Sequence, residues 1–394
     1  MNIIKEKIFK NNPTRIIVFG FLVVVIVGTI LLCLPISSQN GKSINVLDAL
    51  FTATSATCVT GLVVVNTMEQ WTAFGKIVIF CLIQIGGLGF MTFIVLGSLA
   101  LHKKITLSDR LLIKESYNQN NIVGMVKYIK KIIFGTLFIE GIGAIFLAMA
   151  FIPLFGLKKG IVYGIFHSVS AFCNAGFDII SLESFIPYVD NALINITIFI
   201  LVILGGLGFM VWTDTIRVLK LKWSKKWSFT TAIKRLSLHS KIVYLSTFLL
   251  LAFGMLIFFV WESTNPYTMG HLSLKGKLLA SAMQSVTVRT AGFNSIVQGD
   301  MTEVSKFVSI LLMFVGASPG GTAGGIKTVT ISVLWIAVLS VVRGSKHTHV
   351  FKRNIPFSTL QKALAVLFIS LTMVLLITLL LSYTERNMII EHDF

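Results

Sequence analysis

The chain has 394 residues, of which 55% are hydrophobic and only 13% charged, against roughly 25% charged in an average soluble domain. That balance excludes an ordinary cytosolic enzyme, and so much apolar surface excludes a disordered chain; what remains is an integral membrane protein. Its formal charge of +18, from 34 basic and 16 acidic residues, would suggest a nucleic-acid partner in a soluble protein, but here it reads as a topology signal and no nucleic acid is expected.

A spanning helix needs about 20 mostly apolar residues. In chain order the sequence predicts all-α spans near 15–35, 73–101, 131–153, 192–216, 241–261 and 360–383. A further stretch, 303–342, would be roughly 60 Å long as one helix, twice the hydrocarbon thickness. It contains Gly316-Ala317-Ser318-Pro319-Gly320-Gly321-Thr322-Ala323-Gly324-Gly325, which no regular helix tolerates well. It therefore reads as one span broken in its middle. Non-helical backbone at membrane depth persists only where it is buried in protein or lines a cavity, which points to a transport path. Lys5, Lys7, Lys10 and Arg15 before the first stretch resemble a signal peptide's charged end, but the apolar core is too long and no small-residue cleavage pattern follows, so the helix is retained.

Of the 34 basic residues, 24 fall before the first span or in the loops 102–131, 217–241 and 343–362, whereas acids such as Asp178, Glu183, Asp190, Asp300, Glu303 and Glu391 lie on the opposite side. The positive-inside rule places the N-terminus and the three basic loops in the cytoplasm, with the protein multi-pass in the plasma membrane. Cys33, Cys58, Cys81 and Cys173 lie in or near apolar stretches without a CxxC pair, which argues against a disulfide framework or a zinc site.

Between the spans lie segments too short to cross. Asn45–Phe51 leads into a small-residue turn ending Gly61-Leu62; Ile161–His167 leads into one ending Gly176-Phe177; Lys277–Ala282 leads into one ending Gly292-Phe293. The three glycines are 115 and 116 residues apart, and Gly86-Gly-Leu-Gly-Phe-Met91 recurs as Gly205-Gly-Leu-Gly-Phe-Met210. A fixed period of this length marks a repeated unit: helix, re-entrant segment, helix. The unit boundaries read as 1–101, 102–216 and 217–342, with 343–394 opening a fourth unit. An even number of spans per unit makes the repeats parallel, which suits a ring around an axis along the membrane normal.

A cation filter replaces the hydration shell with backbone carbonyl oxygens. Successive carbonyls facing one axis require φ > 0 at some positions, which glycine supplies without a Cβ clash, and a short helix in front presents its partly negative C-terminal end to the cation. The elements Cys58-Val-Thr-Gly-Leu62, Asn174-Ala-Gly-Phe177 and Arg289-Thr-Ala-Gly-Phe293, with Gly320-Gly-Thr-Ala-Gly-Gly-Ile-Lys-Thr328, resemble the superfamily of K⁺ transporters that contains the Trk, Ktr and HKT proteins. With only about 15 residues before the first helix, the chain resembles the KtrB-type membrane subunits. The resemblance implies a K⁺-channel-like fold of helix–pore loop–helix units from one chain, with the filter formed by Val59, Thr60 and Gly61, by Asn174, Ala175 and Gly176, and by Thr290, Ala291 and Gly292. It implies that Gly316–Gly325 with Lys327 is an intramembrane gating loop under the filter. It also implies a homodimer on a cytosolic ring of KtrA-type nucleotide-binding subunits, with nucleotide on the partner and no cofactor in this chain. Glycine at 61, where Na⁺-favouring branches carry serine, implies K⁺ permeation; the only metal expected is the transported ion.

Lys327 at membrane depth is expected either to repel cations or to anchor the loop to a carbonyl or acid. Arg289, which would oppose cations if it faced inward, is expected behind the filter. Asp178 and Glu183 are placed to enrich cations at the mouth, and Glu140 reads as a buried structural partner. Other matches fail on context: Gly316-Ala-Ser-Pro-Gly320 has no preceding strand for a nucleophile elbow, Ile326 interrupts a Walker A pattern, and His347 and His349 stand alone. An embedded enzyme would need convergent His, Asp or Cys at one depth, and a secondary transporter with a midplane site would favour inverted repeats. Three units do not close a fourfold ring, so the natural chain is expected to continue past Phe394 with a fourth filter glycine near position 408.

Overall fold

The computed structural model describes residues 13–89, 92, 93, 95, 96, 124–181, 183–345, 348–351 and 353–386. The apolar stretches form long helices: α1 (Pro13–Cys33), α4 (Met125–Phe155), α9 (Leu238–Glu262) and, after the break, α13 (Phe357–Thr384). Between them lie the short helices α2 (Val46–Cys58), α5 (Leu157–Phe172) and α10 (Leu274–Thr287), and the inner helices α3 (Ala73–Leu88), α6 (Ala192–Gly206) with α7 (Phe209–Ser224), and α11 (Glu303–Phe314) with α12 (Thr328–Val342). The described residues also form a helix α8 (Phe229–Arg235), a two-stranded hairpin, β1 (His349–Val350) paired antiparallel with β2 (Arg353–Asn354), and single helical turns at Pro35–Ser37, Thr67–Gln70 and Ile186–Tyr188. Among the described residues, four helices are long and apolar enough to cross a membrane, and the bent α6–α7 pair makes a fifth if it counts as one span. The 102–123 part of the first basic loop, His347 and the final residues 387–394 lie outside the described residues.

Two of the short helices are clasped by their own long and inner helix, α2 by α1 and α3 and α5 by α4 and α6, whereas α10 packs on its long helix α9. Adjacent groups meet through α3 against α5 and α6 against α10. Asn45 and Ser273 cap α2 and α10 by accepting from Leu47 N at 3.0 Å and Gly276 N at 3.1 Å.

The structure corrects three expectations. The small-residue runs after Phe51, His167 and Ala282 are not turns: α2, α5 and α10 continue through them to Cys58, Phe172 and Thr287. Ala49, Thr52, Ala53, Ser55, Ala56 and Thr57 are all buried, so small side chains here serve close helix packing. Secondly, 192–216 is not one straight span. It bends by 96° between α6 and α7, where Gly208 takes φ +89 and a Cβ at Gly205 would collide with the Phe172 carbonyl at 1.9 Å. Thirdly, the span predicted over 73–101 is interrupted: α3 stops at Leu88, the equivalent Gly89 takes φ +77, and residues 92, 93, 95 and 96 are helical again.

Candidate functional site: three converging backbone turns and the loop beneath them

Each short helix ends in the same backbone signature. Val59, Asn174 and Thr290 take φ of 58°, 60° and 71°, and two residues on Gly61, Gly176 and Gly292 take 77°, 70° and 84°. Glycine at the second position is expected; Val and Thr at the first are not, since left-handed backbone costs an L-residue roughly 1–2 kcal/mol. Only Asn174 is a residue type that visits this region readily. The helix ends hold the turns: Thr60 N donates to Ser55 O at 3.0 Å, Ala175 N to Ser170 O at 2.8 Å and Ala291 N to Thr287 O at 2.9 Å.

The three turns meet backbone to backbone. A Cβ on Gly61 would lie 2.6 Å from the Ala175 oxygen, one on Gly176 2.6 Å from the Ala291 oxygen, and one on Gly292 2.9 Å from Gly176 Cα. Carbonyl oxygens of the second and third turns thus approach the glycine of the preceding one. All three glycines line one cavity of about 360 Å³. Phe177 and Phe293, which follow two of them, are fully buried and key the turns into the protein, whereas Leu62 is exposed.

Asp178, Glu183, Ser184 and Asn294 line the same cavity. Ser184 Oγ accepts from Asn294 N at 3.2 Å and Phe185 N donates to Asn294 O at 2.9 Å, which ties the second turn's mouth to the third's. Buried His167 sets the segment before them: its Nε2 accepts from Ile179 N at 3.2 Å, and its Nδ1 lies 2.7 Å from Tyr163 O. Burial pushes the Asp178 carboxyl up to about 6, against hydrogen bonds from Ser184, Ser181 and Ile180 that pull it down. It is therefore mostly charged at pH 7 and mostly neutral at pH 5. Cation capture at the mouth is expected to weaken over that interval, raising the apparent KM for uptake by about two- to threefold, and Asp178→Asn should flatten the profile. Acid unfolding does not mimic this, because a carboxyl raised in the folded state adds stability as pH falls through 6 toward its ordinary 3.8.

The segment Gly316–Gly325 is a loop between α11 and α12 whose ends touch: Val315 and Ile326 form a bridge, and a Cβ on Gly325 would lie 2.7 Å from Gly316 Cα. It is stitched to two of the turns. Asn174 Nδ2 donates to Thr322 Oγ1 at 2.7 Å, Thr322 Oγ1 donates to Phe172 O at 2.9 Å, and Gly324 N donates to Thr290 Oγ1 at 3.0 Å. It is also stitched into the α6–α7 bend: Ser318 N donates to Gly206 O at 3.0 Å, Thr322 N to Gly205 O at 3.1 Å, and Phe209 N to Gly320 O at 2.9 Å. Lys327 does not reach an acid; its Nζ donates to Ala323 O, four residues back, at 2.7 Å. Arg289 is buried beside α6 and α9, where it lines a small void with Val202 and Thr247 and reaches Gly316 O at 3.4 Å. Glu140 lies in α4, where its Oε2 accepts from Gln84 Nε2 of α3 at 3.0 Å. All four cysteines are free. The bond partners in the α6–α7 bend carry no sequence signal beyond Gly205-Gly-Leu-Gly208.

The family model described as TrkH, cation transport protein, matches residues 6–394. Over 389 residues the chain is 42% identical to Ktr system potassium uptake protein B of Bacillus subtilis, covering 98% of this chain and 84% of that protein. It is 37% identical to the potassium/sodium uptake protein NtpJ of Enterococcus hirae, over 98% of this chain and 82% of that one. The crystal structure of the potassium transporter TrkH from Vibrio parahaemolyticus superimposes with a TM-score of 0.65 at 17% identity, covering 88% of this chain and 68% of that chain; it supports the all-α membrane transporter fold.

Proposed function

Because the chain belongs to the TrkH family of cation transport proteins, we propose that it is the ion-translocating subunit of a gated K⁺ uptake system and not an enzyme. The observation that carries this is the convergence of three left-handed backbone turns, each following the C-terminal end of a short, partly buried helix, on one cavity. In this reading carbonyls of Val59, Thr60, Asn174, Ala175, Thr290 and Ala291, with the glycines after them, take over the ion's hydration shell. Each turn belongs to one of three parallel units, 1–101, 102–216 and 217–342, and 343–394 opens a fourth. The loop 316–325 with Lys327 acts as the gate: its contacts with Asn174 and Thr290 lie immediately before the second and third filter glycines. The hydrogen bond from Lys327 to Ala323 favours the anchoring role for that lysine over cation repulsion.

The relatives' names, Ktr system potassium uptake protein and potassium/sodium uptake protein, support K⁺ uptake within a system of more than one component. We assign a homodimer in the plasma membrane, N-terminus inside, on a KtrA-type ring that carries the nucleotide; the basic loops 102–131, 217–241 and 343–362 are the contact region on this chain. The parallel order of the three turns weighs against a secondary transporter built on inverted repeats. Expression with a KtrA-type subunit in a K⁺-uptake-deficient cell should restore growth at low external K⁺; no growth and no K⁺ influx from a correctly inserted protein would overturn the reading.

A further inference from the structure

On the basic side of the molecule, α7, α8, α9 and Phe351, which lies between β1 and β2, line an open groove of about 680 Å³, within the ~300–1,000 Å³ typical of ligand sites. Its walls are apolar: Phe229 and Ile233 from α8 face Tyr244 and Phe248 from α9. Among the described residues, its charged lining groups are Lys222, Lys234 and Lys241, and no carboxylate lines it. Two of these ammonium groups are already positioned: Lys222 Nζ sits 5.2 Å from the Phe229 ring centre, and Lys241 Nζ donates to Lys234 O at 2.8 Å while lying 5.9 Å from the Phe351 ring.

The shape selects the ligand. Phe248 lies ten residues into α9 from Leu238, about 15 Å along the helix, so the apolar end of the groove reaches into the hydrocarbon while the lysines mark its polar end. Leu219, Leu245 and Phe248 are all exposed along that flank. A water-soluble partner does not reach that depth; an acyl chain does. Basic pockets at the cytoplasmic ends of membrane helices suit anionic headgroups. We propose that this groove is a binding site for an anionic phospholipid, its acyl chain between α8 and α9 and its phosphodiester against Lys222, Lys234 and Lys241.

The test is native mass spectrometry of the purified, delipidated full chain titrated with phosphatidylglycerol or with phosphatidylcholine of the same acyl chains. At least fivefold tighter retention of phosphatidylglycerol is expected. Replacement of all three lysines by Gln should abolish the preference without changing phosphatidylcholine binding, and replacement by Arg should retain it. Ile233→Trp, which fills the groove between α8 and α9, should weaken both lipids. Competition by inorganic phosphate alone would show a free-anion site and overturn the lipid assignment. Equal retention of both lipids, or a preference untouched by the Gln replacements, would also overturn it. So would efficient disulfide cross-linking of two chains through Phe248→Cys, because a second copy would then fill the groove.

Discussion

Gly176→Ser should reduce K⁺ uptake by about a hundredfold and abolish preference for K⁺ over Na⁺ in what remains. Gly176 sits between the other two filter turns, so its added Cβ meets backbone: the Ala291 oxygen at 2.6 Å and Gly292 Cα at 2.7 Å. No side chain can swing away to relieve either contact. The left-handed φ of +70 adds strain of its own, and roughly 1–2 kcal/mol for that conformation plus a similar sum for shifting the neighbouring turn gives two decades at about 1.4 kcal/mol each. Gly61→Ser, whose Cβ would meet the Ala175 oxygen at 2.6 Å, should have a comparable effect, and Gly292→Ser a milder one, since its only close contact is Gly176 Cα at 2.9 Å. Paired ⁸⁶Rb⁺ and ²²Na⁺ uptake in proteoliposomes reads the ratio directly. Unchanged ratios in all three variants would remove the filter assignment.

Deletion of 317–324 should raise K⁺ uptake several-fold in the absence of the cytosolic subunit and leave little further activation on adding it. The deletion is geometrically mild. Gly316 and Gly325 already lie backbone against backbone, close to the ~3.8 Å spacing of consecutive Cα atoms, and the Ile326 N to Phe314 O bond at 3.1 Å is retained. What disappears is the bracing of Asn174 and Thr290 from below, together with the loop's bonds to Gly205, Gly206 and Phe209 in the α6–α7 bend. Thr322→Val is the conservative companion. It keeps the volume and removes the hydroxyl that accepts from Asn174 and donates to Phe172 O. Leaving those buried groups short of a partner costs about 1–3 kcal/mol, so partner-independent uptake should rise by about tenfold. A loop that only kinks a helix would instead give two poorly inserted, inactive proteins.

The period of 115 and 116 residues between glycines located the three turns before any coordinates, and Gly, Ser and Thr density located the loop. Two features were not legible, for physical reasons. Val59 and Thr290 adopt left-handed backbone that β-branched residues avoid, so nothing in their identity announces it; tertiary packing imposes it. The 96° bend between α6 and α7 interrupts a run whose hydropathy is continuous. Its backbone is satisfied by Gly320, more than a hundred residues along the chain, and no local pattern encodes so distant an acceptor. The lengths of α2, α5 and α10 were underestimated because Ser, Thr and Ala serve equally in turns and in close helix packing; burial, not type, decides between them.

The bonds from Ser318 and Thr322 to Gly206 and Gly205, and from Phe209 to Gly320, make the loop and the helix bend a single kinetic object. Freeing the loop strands the carbonyls of Gly205 and Gly206 and the amide of Phe209 unless α6 and α7 swing toward alignment, where Gly205 O becomes the i−4 acceptor for Phe209 N. With the loop as the proposed gate, opening exchanges the bonds of the bend for helical ones in α6–α7 and passes Ser318 N, Thr322 N and Gly320 O to water, with the crossing between the two states the costly step. Such a device dwells in two positions and has little tendency to linger halfway. The amides of Phe209, Ser318 and Thr322 should exchange their hydrogens with solvent in one concerted event.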